Sequence, residues 1–191
     1  MDLQAIIGQI YQIHGEMQET TAVPGVLAQS APSRAARGRE KDTIFIHLTL
    51  SGDPAETAVL AQDINDTISR RYFRAKGSVT AALRQAVIEV NQSLLRRNLG
   101  GRETPLEGDI TCSVLRGSEL YTVQTGNAFA VLGRNFGLER MPPQPPSRIT
   151  PLGRMAGIDI RFYHHRLEPG DVALFADPAV AQLPPPTLQS A

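Results

Sequence analysis

Two helical stripes stand back to back in the middle of this chain, and they restrict its fold more than any other feature. From Pro54 to Arg74, apolar residues recur at Leu60, Ile64, Ile68 and Tyr72, an i, i+4 spacing that puts them on one helix face. Asp53 is a good N-cap and Pro54 suits the first turn, while Lys76-Gly77 closes the segment. A second stripe, Leu83, Val87, Val90 and Leu94, follows the N-cap Ser78 and stops before Gly100-Gly101. Helices of this length joined by so short a link are expected to lie antiparallel and to cover one face of a sheet.

The strands for that sheet lie on both sides. TIFIHLTL, Thr43 to Leu50, is β-branched and aromatic, and ends at Ser51-Gly52-Asp53-Pro54. GVLAQSAPSRA before it reads as an edge strand, since Pro32 is tolerated there and not in a sheet centre. After a polar loop at 100–108 the pattern is all strand. ITCSVLRG and ELYTVQTG make a hairpin around Arg116-Gly117-Ser118. AFAVLGR and GLERMP make another around Asn135-Phe136-Gly137. MPPQPPSR is a Pro-rich loop. Glu168-Pro169-Gly170-Asp171 has the residues of a type II turn and joins RFYHHRL to DVALFA. One strand, two helices and many antiparallel strands imply an α+β fold with helices layered on a sheet.

The ends are different in kind. In residues 1–18, Leu3, Ile6, Ile7, Ile10 and Met17 fit a short amphipathic helix, packed on the domain or used for docking. The domain is expected to occupy 19–182, with the Pro-rich 183–191 as a tail or linker.

Several function classes are excluded or weakened. Nineteen basic and nineteen acidic residues cancel, which gives no electrostatic case for nucleic acid or an anionic membrane. The first residues carry Asp2 and lack a basic start, so no signal peptide is expected, no apolar run is long enough to span a bilayer, and a cytoplasmic protein is the expectation. The single cysteine, Cys112, excludes an internal disulfide, and its apolar alternating neighbours make it a buried structural thiol. No G-x-G-x-x-G opens a helix and no G-K-[ST] occurs. His164 and His165 are adjacent on a strand, so they point to opposite faces and do not chelate one metal together. His47 is mid-strand and reads as a satisfied sheet histidine. Asp63, Asp66 and Glu56 read as a solvated helix face. Arg70, Arg71, Arg74, Arg96 and Arg97 read as cations complementing helix C-termini.

Five landmarks in order carry a resemblance. They are Gly108-Asp109-Ile110-Thr111; Leu120 to Ala130 (LYTVQTGNAFA); Gly137-Leu138-Glu139-Arg140-Met141; Thr150-Pro151-Leu152-Gly153; and Leu167 to Pro178 (LEPGDVALFADP). Together they resemble the metal-dependent Ser/Thr protein phosphatases of the PPM type (type 2C). The resemblance implies a four-layer αββα sandwich, two antiparallel sheets flanked by helices, and a pair of Mn²⁺ or Mg²⁺ ions held by carboxylates.

Set against that pattern, the acids are mostly replaced. The family's V-x-D-G-x-G-G falls on Ile44 to Gly52, with Thr49-Leu50 in place of Asp-Gly. Its R-x-x-N-E-D falls on Arg37 to Asp42, with Lys41 in place of the ligand Glu, leaving Glu40 and Asp42 as displaced or supporting carboxylates. Its S-D-G falls on Ala176-Asp177-Pro178 and keeps Asp177, which also reads as a strand-end residue bonding to its own turn. The Gly-Asp before the next strand becomes Gly126-Asn127. Asp177, Asp42 and Glu40 are thus vestigial candidates, no catalytic residue or metal site is expected, and no cofactor unless the chain is active, in which case Mn or Mg. The implied function is a catalytically degenerate phosphatase-like module that binds a protein partner or further domains of its own chain. Two alternatives stand beside it: an active phosphatase rewired around Asp42, Asp177 and Glu40, and a structural subunit held through the N-terminal helix.

Overall fold

Alternation along β4 (Thr43–Leu50) divides the molecule into layers. Ile44, Ile46 and Leu48 are buried toward the helices, whereas Phe45, His47 and Thr49 face the other way. The computed structural model describes residues 2–13, 15–20, 22–101 and 103–184. β4 lies inside an antiparallel five-stranded sheet of order β3-β4-β5-β6-β9, formed with β3 (Val26–Ser30), β5 (Gly108–Arg116), β6 (Glu119–Thr125) and β9 (Arg161–Arg166). β3 is an edge strand, as its sequence suggested, but it stops at Ser30, so Pro32 lies beyond it and not within it.

Helices α1 (Pro54–Arg74) and α2 (Val79–Leu99) cover one face of this sheet. Asp53 caps α1 by accepting from the amides of Ala55 and Glu56, and Ser78 caps α2 by accepting from Ala81. The helices are antiparallel, because ion pairs tie Arg71 to Glu89 at 2.8 Å and Arg97 to Glu56 at 3.2 Å. Their stripes meet the strand residues in one core that includes Ile68, Tyr72, Leu83, Val87, Ile110 and Cys112. Burying an aliphatic chain such as Ile68 or Leu83 contributes about 1.5–3 kcal/mol.

A second antiparallel sheet packs on the opposite face, in the order β10-β7-β8, from β7 (Phe129–Arg134), β8 (Gly137–Met141) and β10 (Val172–Ala176). Ala130, Leu132 and Met141 make its inner core with Tyr163, Leu167 and Phe175, and Phe175 meets Phe45 across the interface at 6.4 Å between ring centroids. Two face-to-face sheets with a helix pair outside agree with the expected sandwich. Over the outer face of the second sheet, no helix pair is present among the described residues. There a 3₁₀ turn (Pro178–Gln182) gives partial cover, held by Arg140, which donates to the carbonyls of Ala181 and Leu183.

Two expectations need correction. The turn at Glu168–Asp171 forms, with Asp171 N–H donating to the Glu168 carbonyl, but it does not close a hairpin. β9 pairs with β6 and β10 with β7, so the turn carries the chain from one sheet to the other. The N-terminal helix is absent. Residues 2–11 have no helical or strand structure, and a two-residue hairpin, β1 (Gln12–Ile13) with β2 (Glu16–Met17), follows. The supposed stripe has nothing to pack on, since Ile6, Ile7, Ile10 and Met17 are all exposed. Gly8 interrupts it and Gly15 takes a positive φ of 87°, and an isolated short helix is marginal in water. The tail at 185–191 lies outside the described residues. No described helix is long and apolar enough to cross a membrane.

Candidate functional site

The face of the five-stranded sheet that meets the second sheet is polar along β5 and β6. Thr111, Ser113, Thr122 and Gln124 are all buried there. Ser113 and Thr122 share a 2.8 Å hydrogen bond, and Gln124 Nε2 donates to Thr111 Oγ1. At the rim, Thr49 on β4 pairs with Asp109 on β5.

Asp109 anchors the Gly126-Asn127 turn between β6 and β7. Its Oδ1 accepts from the Asn127 amide at 2.8 Å, and the Gly126 carbonyl accepts from Arg161 Nη2 at 2.8 Å. Gly126 has φ 70°, and a Cβ there would collide with Asp109 Oδ1. Only glycine meets both demands. Burial pushes the Asp109 carboxyl above the ordinary carboxylate value; the Asn127 amide opposes this, and the charge of Asp177 adds to it. Burial also lowers His47 below the ordinary histidine value, with Asp177 pulling the other way. Strand register puts Asp177, His47 and Asp109 at one end of the sandwich: His47 pairs with Thr111, two residues from Asp109, and Ala176 pairs with Phe129, just past the turn that Asp109 holds. Asp177 itself caps the 3₁₀ turn, its Oδ1 accepting from the Ala179 amide at 2.8 Å.

Asp42 does not join them. It sits just before β4, where Arg116 grips it with two hydrogen bonds of 2.8 and 2.6 Å and Tyr72 Oη donates at 2.5 Å. Arg39, whose guanidinium lies over the Tyr72 ring, is 3.8 Å away. Burial and Asp42 together raise the Tyr72 hydroxyl above its ordinary value. The length of β4 at about 3.3 Å per residue puts Asp42 roughly 20 Å from the Thr49 end. Glu40 is exposed and accepts from the Gly38 amide. Lys41 projects into solvent and pairs with Asp2 at 2.9 Å, so it places no cation in the site that its position in the motif suggested. The rewired set of Asp42, Glu40 and Asp177 thus does not converge.

The other candidates take structural positions. His164 stacks on Tyr121 and pairs with Glu119 at 2.7 Å, while His165 on the opposite face meets Glu139 at 2.8 Å. Cys112 is fully buried, and burial raises its thiol far above the reactive range. The Thr150–Gly153 landmark docks on α2 through two asparagines. Asn91 accepts from the Gly153 amide, and Asn98 donates to the Gly153 and Leu106 carbonyls. Gly153 has φ 83°, and a Cβ there would strike Leu94 and the Leu106 carbonyl.

A pair of divalent ions needs several oxygen ligands, mostly anionic, to offset dehydration. Among the described residues, no group of three or more His, Cys, Asp or Glu side chains is placed to hold one metal ion. Among the described residues, the acids do not gather into a binuclear centre.

No protein-family model matches the sequence, and no curated protein matches it. Solved structures do. The S. agalactiae serine/threonine phosphatase superposes with a TM-score of 0.69 at 10% identity, covering 91% of this chain and 81% of that one. PppA, a regulatory component of the T6SS in Pseudomonas aeruginosa, gives 0.59 at 18% identity over 80% of this chain and 70% of its own. The catalytic domain of the phosphatase PstP, solved with two manganese ions, gives 0.54 at 14% identity over 78% and 74%. The chain has the fold of the PPM-type Ser/Thr phosphatases.

Proposed function

We propose that this domain is a phosphatase-like binding or regulatory module that does not run two-metal phosphoester hydrolysis. The observation that supports this is the separation of its carboxylates. Asp42 is locked to Arg116 and Tyr72 at one end of β4, Asp177 caps a turn near the other, and neutral Thr49 stands where the resemblance places a ligand Asp. In-line displacement at phosphorus needs two metals to clamp the attacking and leaving oxygens, and Asp109 with Asp177 supplies too few ligands for that. On this reading the domain takes no metal cofactor, acts from the cytoplasm, and contacts a protein partner or other parts of a longer chain.

Turnover of p-nitrophenyl phosphate with Mn²⁺ or Mg²⁺ tests it. The expected rate equals that of the metal-containing buffer alone. Metal-dependent hydrolysis abolished by Asp177→Ala or Asp109→Ala would overturn the reading.

A further inference from the structure

The fold gathers basic residues that the sequence scatters. The loop after β3 is tied to the end of α1 and to the α1–α2 link. Ala36 N–H donates to the Phe73 carbonyl at 2.7 Å, and buried Arg39 donates to the carbonyls of Ala75, Gly77 and Ser78. This brings Arg34 and Arg37 of the loop to the corner that holds Arg74 and Lys76. Arg70, one turn earlier on α1, extends the corner. All five are exposed. Among the described residues none has an acidic partner, Arg70 bonding only to Thr67. Of the nearby acids, Glu89 pairs with Arg71, Glu40 bonds to the Gly38 amide, and Asp66, one turn before Arg70 on α1, accepts from Gln62. On a chain of zero net charge, so many unpaired cations at one corner form a strongly positive surface.

The corner also has relief. A recess of about 210 Å³ opens between the end of α1 and the start of α2, lined by Ala75, Ala82, Ala86 and Gln85, with Arg74 at its rim beside Arg71, which holds the charge of Glu89. An apolar floor beside arginine heads suits a side chain from a segment that is otherwise acidic. A few charge-assisted contacts around a small anchor is how such segments are held.

We propose that this corner docks an acidic segment of a partner protein, with an Asp/Glu-rich stretch meeting Arg34, Arg37, Arg74 and Lys76. This rests on the binding-module reading and gives its partner a chemistry.

The test is fluorescence anisotropy of the whole domain with a labelled Glu/Asp-rich peptide carrying one leucine. The double variants Arg34→Glu/Arg37→Glu and Arg74→Glu/Lys76→Glu are compared with Arg96→Glu/Arg148→Glu, which makes the same charge change elsewhere. Far-UV circular dichroism and a melt confirm that each is folded. The peptide is expected to bind in a salt-sensitive way, and each corner variant to lose about tenfold or more in affinity, with the control near wild type. Neutral variants (Arg→Gln) at the same positions are expected to fall between. No binding at millimolar peptide, or an equal loss in the control, overturns the proposal. So does displacement by inorganic phosphate alone at equal charge, which would mark a phosphate site. These outcomes leave the metal-dependent turnover assay untouched, so failure here is distinct from failure of the module reading.

Discussion

Removing the Asp42 carboxylate is the most informative single perturbation, because two accounts of that residue predict different results. In the structure, Asp42 holds Arg116 through two charge-assisted hydrogen bonds, receives the Tyr72 hydroxyl, and is the acid nearest Arg39, whose Nη1 has no hydrogen bond of its own. Asp42→Ala leaves the Arg39 guanidinium buried without a counter-charge and the Tyr72 hydroxyl without an acceptor. Breaking a buried pair from one side costs about 3–5 kcal/mol. The exposure of Arg116 on its solvent side, 35% of its side chain, favours the lower half of that range. For a chain of this size about 3 kcal/mol lowers the melting temperature by roughly 6–12 °C. Urea denaturation followed by circular dichroism is the assay, with the midpoint falling and the slope unchanged. Arg116→Ala is expected to cost less alone, and the double variant to fall short of the sum by about 1 kcal/mol or more. Mn²⁺ is expected to make no difference to any of these values. Loss of less than about 1 kcal/mol in Asp42→Ala, or a cost that appears only with Mn²⁺ present, would refute the structural role argued for Asp42.

Three further outcomes follow from the same geometry. Gly126→Ala is expected to destabilise by about 2–4 kcal/mol, combining left-handed strain with displacement of the Asp109 side chain, while Gly157→Ala, where a Cβ has open space, serves as a near-neutral control in thermal melts. Asn91→Ala, which strands the Gly153 amide and the Met155 carbonyl at a fully buried position, is expected to cost about 2–3 kcal/mol, read by the same denaturation. The Asp109 carboxyl titrates higher in the folded chain than in the unfolded one, so its contribution to stability is complete in acid and is lost as pH rises through the folded value. Asp109→Asn is therefore expected to gain on the wild type as pH rises from the ordinary carboxylate range to neutrality, and a gap independent of pH in paired urea titrations would contradict the burial assigned to it.

Much of the fold is legible in the residues, and the parts that are not share a cause. The i, i+4 stripes of α1 and α2, their caps, the alternation in β4 and the turn glycines are local signals, and each produces the element that it implies. The N-terminal stripe has the same local form but lacks a surface to cover it, so periodicity alone misleads there. The link from β9 to β10 has turn residues that say a bend occurs and nothing about which sheet each strand enters. At the site, Thr49 and Asp177 are visible through motif order. Asp109 is visible there only as part of a landmark; its role is not, because that comes from the amide of Asn127, brought to it by strand pairing. The sequence likewise cannot reveal that Asp42 is held by Arg116, since that partner arrives from the far end of β5. Gly126-Asn127 reads in the sequence as an acid exchanged for its amide. In the structure, the turn keeps its shape because Asp109 and Arg161 clamp its backbone from two strands.

The most direct test of the central claim is a count of metal ions bound. Isothermal titration of the whole domain with Mn²⁺, supported by electron paramagnetic resonance of the bound fraction, is expected to give no stoichiometric binding at micromolar concentrations. Two Mn²⁺ ions per chain, with at least one lost on Asp177→Ala, would contradict the account and restore the binuclear phosphatase.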